Sequence, residues 1–341
     1  MKLNIKIPTS VLIRVDGSSK LGIGHIMRCI ALAQALEVKE IGSIFVIRNN
    51  EVRIKRLIRD YGYQVEMIPL EATFAKDADL TIKIAQKHKV DLFFTDLSNA
   101  KVLADLRNYV QYIKTLKKEG KFLVSLDGFK SECIANKVKL PFDLIIIPYL
   151  GAEDQKYKIF KKTRLLKGPK YFVLRQEFVK AVKRKRQINK KAKNVLISLS
   201  LVSYPLNAKI KQALSQPDLS SINYKFAVNL KDKKLVSLIE WADLAILSSG
   251  LSRYEAAALG LPCLIIAHNN SHDIMMKQYL KSNTCLYLGE ENKFSQDYLT
   301  EKLKKTLTDY GLRKKMSLNG KKLIDGKGGE RITKQIIQLI T

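Results

Sequence analysis

The chain is poor in cysteine and in acidic residues, and it has no long apolar run. Its four cysteines, Cys29, Cys133, Cys263 and Cys285, stand far apart, with no CxxC pair. Neither a zinc ribbon nor a disulfide framework is therefore indicated, and a reducing, cytoplasmic setting fits best. No window approaches the ~20 consecutive apolar residues that a bilayer-spanning helix needs. The opening MKLNIKIPTSVLIRVDG lacks the apolar stretch and small-residue cleavage site of a secretory signal and reads as mature protein. Acids number 32 against 61 Lys and Arg, giving +29 and a pI of about 9.8. Such an excess either attracts anions or is simply solvated on basic helices. It is densest over residues 155–193, where sixteen Lys and Arg face one acid, Glu177. Nucleic acid is not an expected partner, because no recognised binding motif is present and aromatics do not interleave with the basic run. Weak contact with an anionic membrane surface suits that run better.

A length of 341 residues, 46% hydrophobic and 27% charged, is that of an ordinary globular chain of about two domains. Short apolar strands at residues 11–15 (VLIRV), 43–48, 90–95, 122–126 and 144–147 alternate with helical spacing at 26–37, 80–89 and 103–120. The second half repeats the pattern, with strands at 194–199, 224–228, 242–247 and 263–267 and helices at 206–214 and 252–259. The tail, 298–340, is mostly helical and broken at DGKGG, 325–329. This alternation means βαβ units and parallel sheets buried on both faces. The expected fold is α/β, with two Rossmann-like doubly wound lobes. Residues 1–178 and 194–341 form the lobes, 179–193 is a basic linker, and the ligand is expected in the cleft between the lobes.

Two strand-to-helix loops carry the candidate chemistry. In the first, Asp16-Gly17-Ser18-Ser19-Lys20-Leu21-Gly22-Ile23-Gly24-His25, three glycines let the backbone turn and come close to a ligand. The Gly-Lys-Ser/Thr ending of a Walker loop is absent, and so is a clean GxGxxG, so the loop points to a sugar or phosphate pocket. His25 opens the helix, where the dipole disfavours imidazolium, and a neutral ring there can act as a general base or simply cap the helix. In the second loop, Ser248 to Glu255, the residues Ser249, Gly250 and Ser252 offer donors to a diphosphate. Glu255 either accepts from ribose hydroxyls or complements the helix dipole. His268 and His272 stand at i and i+4 beside Asp273, but no third ligand follows at metal-site spacing, so no metal is assigned. His88 reads as a solvated helix end.

RVDGSSKLGIGHIMRCIALAQAL (residues 14–36) resembles the opening of the UDP-sugar hydrolases of pseudaminic acid biosynthesis and of related spore-coat polysaccharide proteins. The resemblance recurs, in order, at LLKGPKYFVLRQEF (165–178), ADLAILSSGLSRYEAAALGLPCLII (242–266) and LIDGKGGERI (323–332). It implies a GT-B architecture and release of UDP from a UDP-linked diacetamido-trideoxyhexose, in the biosynthesis of a sialic-acid-like sugar or surface polysaccharide. It implies that His25 activates a water that attacks the anomeric carbon with inversion. The first lobe, with Asp16, Gly17, Gly22, Gly24, Arg28 and Asp96, would hold the sugar. UDP would lie near Ser249, Gly250, Ser252 and Glu255, with Asn269 or Asn270 near the substrate and no cofactor required. The chain departs from the family pattern in three places. Residues 198–205 (SLSLVSYP) carry no glycine, Asp96-Leu97-Ser98 lacks an aromatic hydroxyl, and Leu251 and Arg253 are bulky beside the phosphate loop. A glycosyltransferase of the same architecture and a degenerate homologue that binds a nucleotide sugar without turnover remain as alternatives.

Overall fold

The computed structural model describes residues 10–17, 22–48, 52–97, 99–119, 122–126, 128, 133–199, 204–228, 230–268 and 270–341. The expectations for Ser18, Ser19, Lys20, Leu21, Ser98, residues 200–203 and Asn269, and for the side chain of His272, lie outside this description. Two compact units form. One is Met1–Arg175 with Lys327–Thr341, and the other is Gln176–Gly326.

The first unit runs β1 (Ser10–Val15), α1 (Gly24–Glu37), β2 (Gly42–Ile47), α2 (Val52–Asp60), β3 (Gln64–Met67), α3 (Phe74–Lys87), β4 (Leu92–Asp96), α4 (Asn99–Ala104), α5 (Leu106–Lys118), β5 (Phe122–Leu126), β6 (Leu144–Ile147) and β7 (Arg164–Lys167). The second follows as α6 (Gln176–Val182), β8 (Asn194–Ser198), α7 (Tyr204–Leu214), β9 (Asn223–Phe226), α8 (Asp232–Trp241), β10 (Leu244–Ser248), α9 (Ser252–Ala258), β11 (Cys263–Ala267), α10 (Asn270–Tyr279), β12 (Cys285–Glu290), α11 (Gln296–Thr308) and α12 (Tyr310–Leu323). The last helix, α13 (Gly328–Ile340), belongs to the first unit.

The first sheet has the order β3-β2-β1-β4-β5-β6-β7 and its strands pair in parallel. In register, Val15 is flanked by Ile47 on one side and Asp96 on the other. The second sheet, β12-β11-β10-β8-β9, is also parallel. Strand order reverses between β1 and β4 in the first sheet and between β8 and β10 in the second. Ligands of open α/β sheets gather at the carboxyl ends of strands flanking such a reversal. Those ends carry Asp16 and Asp96 in one unit and Ser248 in the other.

The domain boundaries differ from those expected at 178 and 194. Residues 176–182 form α6, which packs on α8 and α9 of the second unit. The basic stretch after it is held there too, with Arg186 donating to Ile239 O at 3.0 Å and Arg313 Nη2 donating to Asn189 O and Lys190 O. The tail does not stay with the second unit. α13 lies against α1, which explains the composition of α1. Residues Cys29 to Ala33 are buried in an unbroken row because the sheet covers one face of the helix and α13 another. The paired glycines of DGKGGERI permit this approach. A Cβ on Gly328 would lie 2.0 Å from Phe172 O, and one on Gly329 would lie 2.7 Å from Ala35 Cβ. The helix expected over 103–120 is two helices, α4 and α5, divided at Asp105.

An unforeseen ionic cluster sits beneath the carboxyl ends of β1 and β2. Arg14, fully buried in β1, donates Nε and Nη2 to Asp77 of α3, with Nη2 to Oδ2 at 2.7 Å. Its Nη1 reaches Asp16 Oδ1 at 2.8 Å. Arg48 donates Nε to Asp77 Oδ2 at 3.0 Å, and Thr81 Oγ1 adds a bond to Asp77 Oδ1 at 3.2 Å. Burial opposes ionisation of Asp77, but the Arg14 and Arg48 guanidiniums more than reverse this, and its carboxyl is held below the ordinary value.

Two predictions follow from this packing. Gly328→Ala forces a methyl into a backbone carbonyl, and urea unfolding is expected to show a loss of about 1–3 kcal/mol or more. Asp77→Asn leaves Arg48 without its carboxylate and Arg14 with Asp16 alone, and is expected to cost about 3–5 kcal/mol at pH 7. Because the folded-state carboxyl titrates below its unfolded value of about 3.9, its contribution is complete above that pH and is lost as pH falls through it. Urea midpoints measured between pH 2 and 5 should accordingly depend less on pH in Asp77→Asn than in the wild type.

Candidate functional site

In the first unit the chain leaves β1 through Asp16 and Gly17 and enters α1 at Gly24. Gly22 has φ +80°, a left-handed turn that a side chain disfavours. Among the described residues no side chain caps the start of α1, and no acid lies in its first turn. His25 is the second residue of the helix and sits over the end of β4, with its side chain 24% exposed.

Asp96 closes β4 and its side chain is fully buried. His25 Nδ1 lies 2.6 Å from Asp96 Oδ1. Arg28, one turn further along α1, donates Nε to Asp96 Oδ2 at 2.5 Å, Nη2 to Asp96 Oδ1, and Nη1 to the Tyr149 hydroxyl. The Cys29 thiol donates to Asp96 Oδ2 at 3.3 Å. Both carboxylate oxygens are thus occupied. Arg28 Nη2 also lies 3.0 Å from His25 Nδ1. A guanidinium only donates, so the arrangement that satisfies all three groups has Nδ1–H donating to Asp96 while Nη2 donates to the same oxygen. That tautomer leaves Nε2 with its lone pair available. Burial opposes the charge on Asp96, yet Arg28 and then His25 hold its carboxyl well below the usual range. Burial likewise works against Arg28, and the Asp96 carboxylate more than compensates. The imidazole faces a carboxylate whose charge is already balanced.

This geometry revises three expectations. Asp96 and Arg28, expected to hold the sugar, are occupied with each other, and Arg28 also with Tyr149. Asp16 is buried and paired with Arg14, and its amide donates to Asp96 O at 3.3 Å. Gly17 is buried against Ile26, while Gly24 stays open, with nothing within 4 Å of an added Cβ. Tyr149 and Cys29 were missed. The i+3 and i+4 spacing of Arg28 and Cys29 from His25 placed them on its helix face, but nothing in the sequence joined Tyr149 to them.

In the second unit the loop after β10 leads into α9. Ser249 is fully buried and its amide donates to Ile266 O at 3.0 Å, so that amide is not the free phosphate donor expected. Gly250 is open, since an added Cβ would meet only Ser248 Oγ at 3.9 Å. Ser252 is half-buried at the helix start, and Glu255 is buried in the first turn. Asn270 is exposed as the first residue of α10. His268 Nδ1 lies 3.5 Å from Glu291. His88 is not a solvated helix end, because its Nε2 lies 2.7 Å from Glu66 Oε1.

With the geometry established, likenesses to known proteins can be placed. No protein-family model matches the chain. It is 24% identical over 343 aligned residues to the spore coat polysaccharide biosynthesis protein SpsG of Bacillus subtilis, covering 93% of this chain and 95% of that one. Among solved structures it resembles Acinetobacter baumannii MurG, with a TM-score of 0.66 at 12% identity over 97% and 99% of the two chains. It also resembles the UDP-GlcNAc 2-epimerase of Neisseria meningitidis bound to UDP-GlcNAc, with a TM-score of 0.59 at 10% identity over 96% and 100%. The fold is GT-B. The SpsG likeness agrees with the resemblance carried by the four motif segments and spans nearly all of the chain. Within this GT-B fold, His25, Arg28, Asp96 and Tyr149 stand at the strand-order reversal of the first unit.

The tautomer is directly measurable. Nitrogen-15 NMR of the wild type should show His25 protonated at Nδ1 and bare at Nε2. Asp96→Asn removes the charged acceptor, and the spectrum should move to a mixture of tautomers. An unchanged Nδ1–H form would remove Asp96 as its cause.

Proposed function

We propose that the protein is a nucleotide-sugar hydrolase that releases UDP from a UDP-linked diacetamido-trideoxyhexose, in the biosynthesis of a sialic-acid-like sugar or surface polysaccharide. One observation carries the reaction type. His25 donates Nδ1–H to a buried, charge-balanced Asp96, which leaves Nε2 as a base at the reversal point of the first sheet. In the proposed step Nε2 takes a proton from water as the water oxygen bonds to the anomeric carbon. The bond from that carbon to the diphosphate oxygen breaks, and the configuration inverts. UDP departs with the bonding pair. Gly24 and the uncapped start of α1 serve the sugar side. The Gly250–Ser252 loop and Glu255 serve the diphosphate and ribose, with Asn269 or Asn270 beside the substrate.

The sugar-nucleotide class is supported by the SpsG likeness and by a structural neighbour that binds UDP-GlcNAc. The altropyranose derivative comes from the motif resemblance at residues 14–36. That opening includes both His25 and Arg28.

The test is a UDP-release assay across UDP-HexNAc derivatives, including 6-deoxy diacetamido sugars. His25→Ala is expected to lower kcat by about 100- to 10,000-fold with an unchanged circular dichroism spectrum. Undiminished turnover in that variant would eliminate His25 as the base. A rate that requires an added sugar or lipid acceptor, with negligible release in buffer alone, identifies a transferase instead. Binding of UDP without any turnover identifies a degenerate homologue.

A further inference from the structure

Arg253 is the second residue of α9, next to the carboxyl end of β10, where the second sheet reverses its strand order. It is 5% exposed. Its guanidinium carbon lies 4.7 Å from the Tyr254 ring centre and 5.1 Å from that of Tyr279. The Tyr279 hydroxyl donates to Arg253 O at 3.1 Å and fixes the helix start. Only one side-chain donor is engaged, Nη1 to Gly250 O at 3.0 Å. Nε is buried with no partner. Among the described residues no carboxylate pairs with this guanidinium.

Five other arginines set within the fold are held more fully. Arg14, Arg28 and Arg48 each hold a carboxylate. Arg186 and Arg313 hold none, but they donate to two and four carbonyl oxygens. Arg253 has a single carbonyl and two aromatic faces. The rings offset part of the cost of removing a cation from water, but they leave its remaining hydrogen-bonding capacity unused. The position matters as much as the charge. The end of β10 beside β8 is where a doubly wound sheet receives its ligand, and Gly250 is open enough for close approach. Ser249 cannot supply its amide there, because that group is bonded to Ile266 O.

We propose that Arg253 is the built-in counter-charge for an anion at the Ser249–Leu251 loop, so that the second unit grips the diphosphate of its ligand with a buried guanidinium. This rests on the nucleotide-sugar reading and makes it specific. The planar fork of arginine matches phosphate oxygens, so charge replaces the backbone donors that a glycine-rich loop would supply. Affinity should therefore reside in the diphosphate more than in the nucleoside.

The experiment is titration calorimetry of UDP, inorganic pyrophosphate and uridine against the full chain, in the wild type, Arg253→Gln and Arg253→Lys. Glutamine keeps a polar amide donor while it removes the charge and the reach of the guanidinium, and lysine keeps the charge without the planar fork. UDP affinity is expected to fall about 10- to 100-fold in Arg253→Gln, with uridine binding unchanged and Arg253→Lys in between. Unchanged UDP affinity in Arg253→Gln overturns the proposal and leaves the nucleotide-sugar reading intact. Equal losses for UDP and uridine mark a purely structural residue and also overturn it. Wild type that binds pyrophosphate but neither UDP nor uridine overturns the nucleotide reading and leaves the anion site standing. The wild type alone gives a second test that needs no variant to fold. Millimolar pyrophosphate should raise its Tm, and an unmoved Tm refutes the proposal.

Discussion

A carboxylate sealed from water governs the first unit. Asp96 has no solvent to stabilise its charge, so every lone pair must find a donor within the protein. His25, Arg28 and Cys29 all come from α1 and all converge on it. That convergence fixes the rotation of α1 about its own axis and the height of its first turn above the sheet. Gly22 enters that turn with a left-handed φ of +80°, which suits glycine. The tautomer of His25 is thus tied to one buried charge, because without Asp96 the Arg28 guanidinium, 3.0 Å from Nδ1, would favour the opposite form.

The two units share a grammar and differ in electrostatics. Each is a parallel sheet with one reversal of strand order, and each places an arginine close to the carboxyl end of a strand at that reversal. In the first unit the arginine is neutralised from within by Asp96. The His25 imidazole there lies beside an ion pair that sums to no net charge. In the second unit Arg253 is balanced by nothing among the described residues beyond two tyrosine faces and one carbonyl. The two units thus treat their arginine in opposite ways, one pairing it with a carboxylate and the other giving it a single carbonyl.

Much of the architecture was legible because parallel sheets buried on both faces leave uninterrupted apolar runs. VLIRV and CLIIA are each followed by an α-helix, and VLIRV, FLVSL and CLIIA are strands with bounds within one residue of those expected. The short edge strands β3 and β7 were not legible. QVEM and RLLK are partly exposed and carry no apolar run. The boundary at the tail was misjudged because DGKGG reads as an ordinary helix break. Its real constraint, the 2.0 Å from a Gly328 Cβ to Phe172 O, lies between residues far apart in sequence. At the site, His25 was visible from its place at a helix start, and Arg28 from the motif resemblance at residues 14–36. Their convergence on Asp96 was not, because two residues at the same sheet reversal become neighbours only through strand order. Ser249 looked like a donor for the same reason in reverse: its amide belongs to the ladder with β11, which local sequence does not show.

The charge excess has a structural reading that composition alone could not supply. Several of the basic side chains counted in +29 serve as caps on helix carbonyls, the groups that a helix end leaves unbonded. Arg164 donates to Gln335 O and Gln338 O at the end of α13. Arg186 donates to Ile239 O and Ala242 O at the end of α8, and Arg313 donates to Thr306 O and Leu307 O at the end of α11. A cation at a helix carboxyl end also complements the dipole, so each such pairing is favourable without any acid. A chain with 32 acids for 61 bases can therefore satisfy part of its positive charge against backbone oxygen. A buried cation with a single carbonyl partner, as Arg253 is, stands out against that background.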